Sequence, residues 1–76
     1  MNASEKLYRN IDAEKSRNGF TDAKIAEMLG IKERAYRKRK ENRSSMTADD
    51  LVALSTMFNC SVDYLLGISN SITKGE

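Results

Sequence analysis

Apolar residues recur three and four positions apart along this chain, and no proline interrupts them. That spacing puts them on one face of an α-helix, and no run alternates with the two-residue period of a strand. Leu7 and Ile11, joined by Tyr8, predict a first helix over about 4–18, with Ser4 as its N-cap and Glu5 favouring the positive helix start. Gly19 fits the position just past its end, and Phe20 then enters the core. Thr21 is suited to cap a second helix, on which Ile25, Ala26, Met28 and Leu29 share a face about 160° wide. Gly30 supplies the freedom for a sharp turn, Ile31 returns to the core, and Lys32 or Glu33 begins a third helix.

Asn42 to Ser45 reads as a polar connection, with Met46 plugging the core after it. Thr47 with Asp50 three residues later forms a variant of the capping box. It opens a fourth helix carrying Leu51, Leu54 and Phe58, flanked by Val52 and Met57. Ser61 caps a short fifth helix over Val62–Leu66, ended by Gly67. The expected fold is all-α, a compact bundle of five helices in one domain over 1–67, followed by a polar tail over 68–76.

The chain carries one cysteine, Cys60, and no histidine, so neither a disulfide framework nor a zinc site can be built within it. Cys60 lacks a base and reads as a small buried apolar residue, and no glycine loop is present to cradle a phosphate. The composition therefore argues against an enzyme, and no cofactor or metal is expected. No apolar run approaches the roughly 20 residues of a membrane span, and no secretory signal is seen, so the expected location is cytoplasmic.

Charge is distributed unevenly. Between Lys32 and Arg43 seven cations accompany two anions, a local net of +5, while the remainder carries a net of −3. A basic patch on an acidic body is the electrostatic footprint of a polyanion binder. On the third helix Ala35, Tyr36 and Arg39 fall on one side, with Lys40 at its edge. Glu33, Arg34, Arg37, Lys38 and Glu41 fall on the other. Arginines and lysines along an outer helical side suit the major groove, where guanine edges accept two hydrogen bonds; the plain alternative is a solvated basic face.

The stretches GFTDAKIAEMLGI and TADDLVALSTMFNCSVDYLLG, joined by the charged helix, resemble the phage repressor/Cro-like helix-turn-helix domains of the Xre family. The resemblance covers about Leu7 to Gly67. It implies a lambda-repressor-like bundle of five helices whose second and third helices form the DNA-reading unit. It further implies that Lys32, Glu33, Arg34, Arg37 and Lys38 read bases, with Glu33 accepting from cytosine if it reaches one. For each of these, a phosphate contact or simple solvation is the competing role. Backbone contacts are expected from Thr21, Arg43, Ser44 and Ser45, although the two serines also suit an ordinary turn.

Three departures from the family pattern stand out. Asp22 occupies a position usually held by a phosphate-binding glutamine, and it repels phosphate unless turned aside to cap its helix. Arg39 occupies a position usually aliphatic, so it must reach past the core edge or pair with a carboxylate. Lys15 and Lys40 stand where the family often joins an arginine to a glutamate. The expected substitute for that bridge is Glu14 pairing with Lys40 or Arg39.

The resemblance implies a transcriptional regulator of double-stranded DNA, of the repressor type found in phages and mobile elements. A near-palindromic operator and a weak or DNA-dependent homodimer follow from it. Met57, Phe58 and Val62 are candidates for a dimer patch, with burial in the core as the competing role. An antitoxin-like module with a protein partner is the second functional class, since antitoxins often keep such a domain.

Overall fold

A computed structural model describes residues 3–68. Among them five helices follow in order: α1 (Ala3–Asn18), α2 (Asp22–Leu29), α3 (Glu33–Asn42), α4 (Ala48–Phe58) and α5 (Val62–Leu65). The starts of α2, α4 and α5 are fixed by local side-chain hydrogen bonds to free amides of the first turn. The Thr21 hydroxyl accepts from the Lys24 amide at 3.2 Å. Thr47 accepts from the Asp50 amide at 3.1 Å, while the Asp50 carboxylate accepts from the Thr47 amide at 3.3 Å, completing the box. Ser61 accepts from the Tyr64 amide at 3.0 Å.

The turn between α2 and α3 is closed by Gly30, at φ 72, after which the Ile31 amide bonds back to the Ala26 carbonyl at 3.0 Å. A left-handed residue at this place lets the chain reverse without leaving the last carbonyls of α2 unpaired. It sets α3 directly against α2, with α2 also packed on α4. α1 lies across α4 and α5. Ile11, Ile25, Tyr36, Leu54, Cys60 and Leu65 are wholly buried where these helices meet. Phe20 joins them from the α1–α2 turn, its ring centroid 6.0 Å from that of Phe58. α1 is also tied to α5 by the Asn10 side-chain amide, which donates to the Tyr64 carbonyl at 2.8 Å.

Several expectations change. α1 already includes Ala3 and Ser4, so Ser4 is not the cap. α5 ends at Leu65 rather than Leu66, which becomes its C-cap. Met28 is 38% exposed, because it lies at one edge of the wide α2 face and the core takes only Ile25 and Ala26 fully. Phe58 is buried, which leaves Met57 and Val62 as partly buried remnants of the suggested dimer patch. Of the polar tail expected over 68–76, everything past Ile68 lies outside the described residues, as do residues 1 and 2. No helix among the described residues is long and apolar enough to cross a membrane.

Candidate nucleic-acid interface

α3 is anchored by one side chain and charged almost everywhere else. Tyr36 is the helix's fully buried residue. Burial first, then the nearby Asp12 and Asp22 charges, raise its hydroxyl pKa above the ordinary value, so the ring stays neutral. About that anchor Lys32, Arg34, Arg37 and Lys38 are exposed and Glu33 is half-buried. Ala35, expected inward, is exposed: it lies about 100° from Tyr36, too far round the helix to reach the core. Glu33 pairs with Arg37 one turn on, and the Arg37 Nε also lies 3.7 Å from Asp22. The guanidinium is thus steadied over the α2–α3 junction while 63% of its side chain remains in solvent.

Two further acids beside this basic side, Asp12 and Asp22, are met by lysines of α1 and α3. Asp22 does not cap its helix. Its Oδ1 accepts from Lys15 at 2.7 Å and lies 3.8 Å from Lys40 Nζ, with only 18% of the side chain exposed. The Lys15 hydrogen bond, with further help from the Lys40 charge, lowers the Asp22 pKa below the ordinary carboxylate value. The same bond raises that of Lys15. Asp12 completes the group, its Oδ1 2.8 Å from Lys40 and 3.7 Å from Lys15. Two lysines that cannot bridge each other are therefore joined through two aspartates, and α1, α2 and α3 are clamped at one point. An uncompensated carboxylate at the start of α2 would repel phosphate; here its charge is met by cations of the protein itself.

The expected pairing of Glu14 with Lys40 or Arg39 does not form. Glu14 is 1% exposed and takes the Arg17 guanidinium at 2.7 Å, while the Tyr64 hydroxyl donates to its other oxygen at 3.1 Å. It binds α1 to α5, on a different side of α1 from α3. Arg39 pairs instead with Asp50 at 3.3 Å, so the capping acid of α4 also holds the last turn of α3. Sequence reasoning missed Asp12 and Tyr64, and it foresaw Asp50 as a capping acid but not as the partner of Arg39. Asp12 had one local signal, its position three residues before Lys15 on α1.

The expected backbone contacts divide. Thr21 and Ser45 are exposed. Thr21 uses its oxygen as acceptor for the helix cap, which leaves its hydroxyl hydrogen to donate outward. Arg43 is exposed and ends α3 in the left-handed conformation at φ 53, its guanidinium 3.1 Å from the Lys40 carbonyl. Ser44 is tied into the fold: its amide donates to the Arg39 carbonyl at 2.9 Å and its carbonyl accepts from the Tyr8 hydroxyl at 2.8 Å. Among the described residues no cluster of metal-binding side chains occurs.

The site is thus a rigidly seated helix with an outward side of arginine and lysine, preceded by a capped helix whose first-turn acid is neutralised. Comparison with curated proteins and with solved structures returns no match. The helix-turn-helix family model matches residues 14–65, from the buried acid of α1 to the end of α5. With α2 and α3 joined at Gly30, the chain belongs to the Xre or lambda-repressor-like helix-turn-helix family of DNA-binding regulators.

Proposed function

We propose that this protein represses transcription by reading one duplex sequence in the major groove with α3, as a regulator of phage or mobile-element type. The observation that carries the reading is the split of charge: Arg34, Arg37 and Lys38 are exposed on α3, while Asp12 and Asp22 are held by Lys15 and Lys40. Arg34, Arg37 and Lys38 reach guanine edges or phosphates, with Lys32 at the helix start and Glu33 facing cytosine. Thr21, Arg43 and Ser45 grip the flanking backbone, and Ser44 serves the turn. One such domain contacts few bases, so two copies act on a near-palindromic operator with half-sites about one helical turn apart. Association between the copies is weak or depends on DNA.

The test is a titration of duplexes at several salt concentrations. Affinity should fall steeply with salt and favour one sequence. Arg37→Glu and Lys38→Glu should each weaken binding to that sequence, by about 1–3 kcal/mol where the side chain reads a base. Unchanged affinity in both variants means that α3 is not the reading helix.

A further inference from the structure

Away from the outward side of α3, a pocket of about 300 Å³ is lined by Glu5, Tyr8, Arg9 and Asp12 of α1 and by Lys40 and Arg43 at the end of α3. The α1 residues stand three and four positions apart, so they share one face of that helix. Much of the charge in this pocket is already committed. Lys40 Nζ lies 2.8 Å from Asp12 Oδ1, and Glu5 belongs to the first turn of α1, where the helix end is positive. Two guanidinium groups from different elements remain, Arg9 and Arg43, and both residues are exposed. Arg43 is steadied by the Lys40 and Glu41 carbonyls, which accept from its Nη1 at 3.1 and 3.4 Å. A guanidinium carries five N–H donors, so others are left for a ligand. The Tyr8 hydroxyl donates to the Ser44 carbonyl at 2.8 Å and so ties α1 to the residue that follows Arg43.

Two forked donors on separate elements suit an anion with oxygens on several sides. A carboxylate has two oxygens and matches one fork, whereas a phosphate group has oxygens enough for both. The volume lies at the lower end of the range for small-ligand sites, about 300–1,000 Å³. We infer that Arg9 and Arg43 form a phosphate-binding site in the pocket between α1 and the end of α3. The phosphate group has two possible sources. One is the duplex backbone beside the groove, and that source rests on the DNA-binding reading above. The other is a free phosphorylated small molecule. The competing role for Arg9 is that of a solvated cation on an exposed helical face.

The experiment compares the full chain with Arg9→Gln, an exposed change to a good helix former that should keep the helical circular dichroism. In one arm, both proteins are melted in increasing sodium phosphate and in sodium chloride of equal ionic strength. The general salting effect of phosphate acts on both alike, so the readout is the difference between them. A saturable rise in Tm with phosphate that Arg9→Gln loses supports the site. In the other arm, both proteins are titrated with duplexes at several salt concentrations. Where the backbone supplies the phosphate, Arg9→Gln should reduce the slope of log affinity against log salt by about one. It should weaken every duplex by the same factor and leave the order of preference among them unchanged. A change in the first arm alone assigns the site to a free phosphorylated molecule, and a change in the second alone assigns it to the duplex. No difference between the two proteins in either arm overturns the inference and leaves the DNA-binding reading standing. Should the unaltered chain bind no duplex, that reading fails, and the phosphate melts decide the inference by themselves.

Discussion

Asp22→Asn should lower the stability of the fold by about 1–2 kcal/mol at neutral pH, although the residue is not part of the apolar core. The carboxylate is 18% exposed, receives a hydrogen bond from Lys15 at 2.7 Å, and has Lys40 and Arg37 at 3.8 and 3.7 Å. A hydrogen bond to a charged group is worth about 1.5–3 kcal/mol net. Asparagine keeps the shape and one acceptor, and water reaches the edge of the site, so the loss falls at or just below the lower end of that range, about 1–2 kcal/mol. In a domain this small each kcal/mol moves Tm by about 4–8 °C, so the melt should shift by about 4–16 °C. The pH dependence follows from the direction of the shift. The folded-state pKa of Asp22 lies below the ordinary 3.8, so its contribution is fully present above that value. It is lost as pH falls through the lower folded-state pKa. The asparagine side chain of the variant does not titrate, so its deficit should shrink as pH is taken below about 4. Thermal melts followed by circular dichroism at pH 7 and in steps down to about pH 3 measure both effects. Equal melting points at neutral pH, or a gap of the same size at the acid end, would refute the claim that the carboxylate charge holds α1, α2 and α3 together.

Tyr64→Phe removes the hydroxyl that donates to the buried Glu14 at 3.1 Å, and should cost about 1–3 kcal/mol in urea unfolding. A loss within about 0.5 kcal/mol, the range of ordinary surface changes, would show that Arg17 satisfies Glu14 by itself. Gly30→Ala places a Cβ with nothing within 4 Å but at φ 72, so the penalty should be conformational only, about 1–2 kcal/mol. A larger loss in the same assay would point to a steric conflict at the α2–α3 turn.

Much of the fold is legible in the sequence because the interactions that place its helices are short-range. Thr21, Thr47 and Ser61 each cap through an amide three residues on, so composition and order alone locate three helix starts. The outward cations of α3 are equally readable, since their separation from Tyr36 depends only on the helical period. Faces drawn from that period fail at their edges. Met28 and Ala35 both lie at the margin of an apolar arc, and only the position of the neighbouring helix decides whether a margin is covered.

The carboxylate partners were beyond the sequence for a related reason. Glu14, Asp12 and Asp22 are all candidates for the cations of α3, and nothing local separates them. What separates them is how α1 crosses its neighbours: Asp12 faces Lys40, whereas Glu14 faces Tyr64, 50 residues away. By itself the sequence determined the helices, the caps of α2, α4 and α5, and the charge carried on α3. Tertiary packing decided which acids neutralise which cations and which side chains are left to solvent, because those outcomes depend on distances between helices that no local period encodes.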